Sequence, residues 1–378
     1  MPNKKILIIS GEPSGDLHAS NLVKDLKSLD PSLQFYGVGG ELSKKAGVDV
    51  IFDITKLALV GVVEVIKHIS VVKEAHDAVI KKIENDRPDI AILVDYPGFN
   101  LKIAGDLSRK SIPVVYYISP QIWAWGRQRI HAIKKYVSKM LVFFKFEEEL
   151  YKTYGVNTDF VGHPLVDVVK VTSSKDEVFK KYSLSKDKKT IAILPGSRES
   201  EIKVFLPVLA KAAEMISQKM DNVQFVISKH PDKPLSMYEA GLKGASFDYR
   251  LAEGDMHNIV GAADFAIVAS GTATLETGML GTPLIIVYKT SHITYALYKL
   301  VTNTRFIGLV NVIAKKEVAP ELLQYRMTPE RIAEKTLEAL SNPAKLTQAR
   351  KELALVKDSL GSSGASLRAA KAILPLLK

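Results

Sequence analysis

Residues 4–16 read KKILIISGEPSGD, and the fold follows from that run. The four apolar residues 6–9 have the length and β-branched character of a strand buried on both faces. They pass directly into a glycine-containing turn, and residues 17–29 then carry helical periodicity. This is the opening of a parallel βα unit. Outward from it, residues 89–95, 112–119 and 139–144 read as further buried strands, with residues 66–84 helical between them. The pattern restarts at 190–194 and continues through 223–228, 265–269 and 284–288, separated by helical stretches such as 201–220 and 274–280. Two sets of alternating βα units predict two doubly wound α/β domains. A Lys/Ser/Asp-rich stretch around residues 168–189 marks the boundary. The expected division is 1–170 for the first domain, 171–189 for a linker, 190–340 for the second domain and 341–378 for a helical tail. In such folds ligands sit at the carboxyl ends of the strands, and pockets favour domain interfaces. The pattern therefore predicts an enzyme with two substrates, one per domain.

Composition narrows the class. With 47% hydrophobic and 25% charged residues the chain reads as an ordinary globular protein. It has no cysteine, which excludes disulfides, thiolate catalysis and a sulfur-based zinc site. The histidines do not fall at metal-ligand spacing and no D-x-D-like acidic pair follows a strand, so no catalytic metal is expected. The first residues are too short and strand-like for a signal peptide. No stretch reaches the roughly 18–20 apolar residues of a spanning helix. The net charge of +11 admits nucleic acid, anionic lipid or a phosphorylated small molecule as partner. Aromatic residues do not interleave with the basic run, which argues against nucleic acid.

The first half carries several features with two readings each. In the turn after the first strand, Gly11, Glu12, Ser14 and Asp16 either read sugar hydroxyls or form a tight turn with Ser14 as helix N-cap. Asp95, opening DYPGFN after residues 90–94, is either a general base at a strand's carboxyl end or a cap for the next helix or turn. Both tryptophans lie in residues 119–126, as sugar or acyl platforms or as packing. Six basic residues and no acid between 127 and 145 form either a solvated face or a patch that meets a membrane. Residues 57–72 are the most apolar stretch. They read as a core-packed helix or, through Val60, Val62, Val63 and Ile66, as an acyl-chain or membrane surface.

In the second half, a strand runs into Pro195, Gly196, Ser197 and Arg198, where an arginine fork can match a diphosphate. A later strand opens into Ser270, Gly271 and Thr272 at a helix start, with Glu276 placed to accept from ribose hydroxyls. Each motif alone is also ordinary capping chemistry. Together they describe a nucleotide-diphosphate site.

The ordered set SGEPSGD, LALVGVVEVI, DYPGFN, SPQIWAW, VGHP, LPGSR, SGTATLE, LVNVI and PELLQ resembles the lipid-A-disaccharide synthase family over most of the chain. The resemblance implies a GT-B fold, with two facing Rossmann-like domains and a C-terminal helical tail. It implies a metal-independent, cofactor-free, inverting transfer of 2,3-diacylglucosamine from its UDP carrier. The acceptor is the 6-hydroxyl of 2,3-diacylglucosamine 1-phosphate (lipid X), and the products are a β-1,6 disaccharide and UDP. Asp95 takes the place of the family's base, Arg198 and Glu276 those of donor-site residues, and Glu12 and Asp16 fall in the acceptor-facing loop. It further implies a peripheral protein of the cytoplasmic inner-membrane surface. A homodimer with exchanged C-terminal parts is also implied, in which Asn311 and Gln324 complete the partner's site. The rival readings are another UDP-sugar transferase, a UDP-sugar epimerase of the same fold, or a non-catalytic lipid or anion binder.

Overall fold

The computed structural model describes residues 3–53, 69–291, 295, 302 and 304–377. The chain divides into two compact units: Met1–Pro164 with Leu360–Lys378, and Leu165–Ser359.

In the first unit, β1 (Lys5–Ser10), β2 (Gln34–Gly39), β3 (Val48–Asp53), β4 (Ile90–Val94), β5 (Val114–Tyr117), β6 (Lys139–Val142) and β7 (Thr158–Phe160) form one sheet. Its order is β3-β2-β1-β4-β5-β6-β7, and neighbours are parallel throughout. β4 is buried at every position. A strand covered on both faces must be apolar on both, which is why residues 90–94 show no alternation. Helices α1 (Pro13–Leu29), α2 (Glu41–Lys45), α3 (Ile69–Asn85), α4 (Pro97–Arg109), α5 (Arg129–Tyr136) and α6 (Lys145–Thr153) connect these strands. The α1 helix buries Ala19, Leu22, Val23 and Leu26, the stripe that helical periodicity dictates. Each fully buried aliphatic side chain of such a stripe contributes about 1.5–3 kcal/mol relative to exposure.

The second unit repeats the plan. Its strands β8 (Lys189–Leu194), β9 (Val223–Lys229), β10 (Tyr249–Glu253), β11 (Phe265–Ala269), β12 (Leu284–Tyr288) and β13 (Glu321–Leu323) run in the order β10-β9-β8-β11-β12-β13. Its helices are α7 (Leu165–Val168), α8 (Lys175–Lys181), α9 (Glu199–Ser217), α10 (Leu235–Gly241), α11 (Met256–Ala262), α12 (Thr272–Met279), α13 (Leu309–Ala314), α14 (Pro329–Leu340) and α15 (Pro343–Ser359). In both sheets the strand order reverses beside the first strand, at β1/β4 and at β8/β11. Ligands of open α/β sheets bind outside the carboxyl ends at such switch points. The motifs SGEPSGD, DYPGFN, PGSR and SGTATLE each follow one of these four strands.

Two boundaries differ from the expected ones. Residues 171–189 are not a free linker. Helix α8 lies there, closed by a Ser174–Glu177 capping box, and it buries Val178 and Phe179. Asn258 of α11 accepts the Thr172 and Ser173 N–H groups, tying the stretch to the second unit. The charged composition is the outer face of a short packed helix. The tail also divides. α15 belongs to the second unit, whereas α16 (Ala365–Ile373) belongs to the first, where it packs on α1 through Ala365, Ala369, Ala370 and Ile373. The glycine-bearing β2 was not expected as a strand. It is one because Gly37 lies against the Ile8 backbone, where no Cβ fits.

Candidate active site

In the second unit, a cavity of about 830 Å³ opens where β8, β9 and β11 end. All seven residues expected to hold the donor line it: Gly196, Ser197, Arg198, Ser270, Gly271, Thr272 and Glu276. Arg198 precedes α9 and is exposed; its Nη1 lies 3.0 Å from Glu201 Oε1. The other oxygen of Glu201 accepts the N–H groups of Ser197 (3.2 Å) and Arg198 (3.3 Å). The start of α9 thus carries its own anion. Gly271 and Thr272, at the start of α12, are exposed and face the cavity. Among the described residues, no side chain caps that helix start, so its N–H groups and dipole are open to an incoming anion.

Glu276 stands one turn further into α12. Burial raises its carboxyl above the ordinary range, and the imidazole of His257, 3.5 Å away, partly offsets this. His257 comes from α11 and was not anticipated, nor were Lys229 and His230 at the end of β9. No spacing in the sequence marks them, because they reach the cavity from separate βα turns. Lys229 is nearly buried and pairs with Glu253 at 2.9 Å.

The first unit gathers its motifs at the β1/β4 switch. β1 and β4 are hydrogen-bonded neighbours, with Ser10 level with Val94. Gly11 and Glu12 therefore emerge beside Asp95 and Tyr96. The Tyr96 ring fills the space a side chain at Gly11 would need, which fixes that position as glycine. Asp95 and Tyr96 both adopt left-handed backbone, with φ of 47° and 46°. Such conformations cost an L-residue on the order of 1–3 kcal/mol and cluster at functional sites. The Asp95 carboxyl is half-buried and pushed up to about 6, first by burial and then by the charge of Glu12, against a hydrogen bond from the Tyr96 N–H.

Asp16 does something else. Its carboxylate is buried and accepts from Gly40 N (2.9 Å), Leu42 N (3.0 Å), Ser43 N (3.1 Å) and Ser43 Oγ. Three of those bonds fall on Oδ1 and one on Oδ2, so Asp16 caps α2 and joins it to α1. Ser14 is not the N-cap either. α1 begins at Pro13 with Glu12 in the cap position, and Ser14 is exposed in the first turn.

The loop after β5 holds both tryptophans through charged partners. Trp123 Nε1 donates to Glu147 Oε1 at 3.0 Å, and the Arg129 guanidinium lies 3.9 Å over the Trp125 ring. Glu147 is buried, and burial pushes its carboxyl up to about 7 in spite of that bond. The basic run is not one continuous face. Arg129 turns under Trp125, and Lys139 opens β6 and pairs with Asp159 at 2.7 Å. Arg127, His131 and Lys134 remain exposed, lining a groove between α5 and α6.

Asn311, expected to serve a partner subunit, is fully buried in its own unit. Its Nδ2 donates to Ala319 O and Glu321 Oε1, and its Oδ1 accepts from Val318 N and Ala319 N. Gln324 is also buried, at the end of β13, with Oε1 3.4 Å from Thr290 N. Val60, Val62, Val63 and Ile66 lie outside the described residues. No described helix is long and apolar enough to cross a membrane.

Comparison with known proteins agrees with this architecture. The family model described as lipid-A-disaccharide synthetase matches residues 6–373. Lipid-A-disaccharide synthase of Syntrophus aciditrophicus is 43% identical over 100% of this chain and 99% of that protein. The Myxococcus xanthus protein of the same name is 39% identical, over 99% of this chain and 97% of its own length. Among solved structures, the calicheamicin glycosyltransferase is similar with a TM-score of 0.63 at 16% identity, covering 100% of this chain and 99% of that one. UDP-GlcNAc 2-epimerase from Neisseria meningitidis, bound to UDP-GlcNAc, gives 0.56 at 11% identity, covering 99% of each chain. The structural likenesses establish the fold, two Rossmann-like units as in GT-B glycosyltransferases. The chain belongs to the lipid-A-disaccharide synthase family.

Proposed function

We propose that this member of the family transfers 2,3-diacylglucosamine from UDP-2,3-diacylglucosamine to the 6-hydroxyl of lipid X, with inversion, giving the β-1,6 disaccharide 1-phosphate and UDP. The observation that carries the reading is the full-length family match. The two switch points supply its chemistry. Asp95 takes the proton of the acceptor hydroxyl as that oxygen bonds to the anomeric carbon. On the opposite face the bond from that carbon to the diphosphate oxygen breaks, and UDP leaves with the electron pair. A carboxyl with a pKa of about 6 is a competent base at neutral pH while remaining largely ionised.

The leaving diphosphate is met by the α12 start at Ser270–Thr272 and by Arg198, oriented donors that gain strength as negative charge develops. This set supports a reaction that needs no metal. Glu276 accepts from the ribose hydroxyls. Glu12 is the remaining acid of the β1 turn that faces the acceptor. Its charge also raises Asp95, so it tunes the base.

The protein works at the cytoplasmic surface of the inner membrane as a peripheral homodimer. Exposed Arg127, Lys134 and Lys135 support attraction to anionic lipid, and the dimer follows the family resemblance alone. The distinguishing experiment supplies both substrates in detergent and follows UDP and disaccharide by mass spectrometry. Stoichiometric disaccharide and UDP, strictly dependent on lipid X, support transfer. A C2-epimerised UDP-sugar formed without acceptor would replace this reading with the epimerase one.

A further inference from the structure

We propose that Tyr116 and Asn100 are positioning residues that hold Asp95 in the left-handed backbone conformation from which its carboxylate takes the acceptor proton. This rests on the reading of Asp95 as the base.

Two successive left-handed residues without glycine persist only where their surroundings over-determine them. At Asp95 the surroundings act on the backbone. Its N–H continues the sheet ladder to Tyr117 O at 3.0 Å. Its carbonyl accepts two side-chain donors from two different elements. The Tyr116 hydroxyl of β5 donates at 2.6 Å, and Asn100 Nδ2 of α4 donates at 2.7 Å. Asn100 Nδ2 also reaches Val94 O at 3.1 Å, gripping the peptides on both sides of the strand's end. Both donors are fully buried, so water does not compete for these bonds.

Tyr116 remains a donor across any practical pH, since burial and the Asp95 charge hold its phenol well above the ordinary range. The Asn100 backbone N–H bonds Tyr96 O at 3.0 Å, which ties the start of α4 to the second left-handed residue. In DYPGFN the asparagine is therefore the lock for the aspartate five residues earlier. Among the described residues, Glu12 of the β1 turn acts on Asp95, and Asp95 acts on Tyr116 of β5, which also meets Tyr151 of α6 and Arg129 of α5.

Tyr116→Phe keeps the ring and removes one donor. The expected result is a kcat about 10- to 100-fold lower, the loss typical of a misplaced reacting group. KM for both substrates stays within about two-fold. The acid limb of the kcat–pH profile moves to lower pH, as a less constrained carboxylate meets more water. In an Asp95→Asn background the same change adds little, because it acts only through Asp95. A folded Tyr116→Phe enzyme with unchanged kcat and acid limb would overturn the inference, as would a full additional loss in the Asp95→Asn background. If Asp95→Asn itself keeps wild-type kcat, the base assignment fails first, and this inference with it. If Asp95→Asn is crippled while Tyr116→Phe is not, only the positioning role fails.

Discussion

Arg198 Nη1 stands 3.0 Å from Glu201 Oε1, and the same carboxylate takes the N–H groups of Ser197 and Arg198. The turn expected to greet a diphosphate is thus already neutralised from within. On the proposed function, an incoming diphosphate would share the guanidinium with Glu201 and take its other contacts from the uncapped start of α12. The fork geometry of Arg198 then matters, since it must serve two anions at once. Arg198→Lys is expected to lower kcat by about 100-fold or more. Glu201→Gln removes the competing charge and is expected to tighten UDP binding by up to about five-fold, the scale of an exposed ion pair. Turnover assays check the first and titration calorimetry with UDP the second; weaker binding in Glu201→Gln would contradict the competition.

Glu276 carries a second prediction. Its carboxyl is raised by burial, with His257 opposing. If its ionised form accepts from the ribose hydroxyls, as proposed, donor affinity should fall as pH drops, at higher pH than an ordinary carboxylate would give. UDP and 2′-deoxy-UDP dissociation constants between pH 5 and 8 test this. The wild type should prefer UDP, and Glu276→Ala should not distinguish the two.

Glu147 predicts a stability effect of definite sign. Its folded value of about 7 lies above the ordinary glutamate value. The folded state therefore binds a proton that the unfolded state has already released, and stability falls as pH rises from about 4.5 to 7. Glu147→Gln keeps an acceptor for Trp123 Nε1 and removes that penalty. Its thermal midpoint should exceed wild type at pH 8 and match it near pH 4. A midpoint lowered at pH 8 would show that the ionised carboxylate is needed by the loop.

Asn311 offers a test of the partner-subunit expectation. All its polar atoms are satisfied inside its own unit. Asn311→Ala should therefore destabilise the fold by about 1–3 kcal/mol, through donors and acceptors left buried and unpaired. Folded Asn311→Ala should keep turnover, and mixing it with inactive Asp95→Ala should give no more activity than Asn311→Ala contributes alone. An inactive but folded Asn311→Ala whose activity returns on mixing with Asp95→Ala would give Asn311 a role across subunits.

The central strands were legible because burial on both faces forces uninterrupted apolar runs, as in residues 90–94 and 265–269. Edge and glycine-bearing strands were not: β13 has three residues, and β2 is a strand only because Gly37 can lie on the Ile8 backbone. The expected cavity-lining residues were legible because most of them come directly after strands β8 and β11 in sequence. His257 was not, because its contact with Glu276 joins two helices that sequence spacing does not relate. Asp16 shows a related ambiguity. A carboxylate in a strand-end turn looks the same in sequence whether it faces a ligand or caps the next helix, and here the start of α2 claims it.

Metal-independent transfer with Asp95 as base is decided by disaccharide formation by purified protein in EDTA, run beside Asp95→Ala with UDP binding measured on both. Disaccharide and UDP are expected from the wild type, with turnover lost and UDP affinity intact in Asp95→Ala. Full turnover in Asp95→Ala, or wild-type activity abolished by EDTA and restored by a divalent ion, would contradict this mechanism.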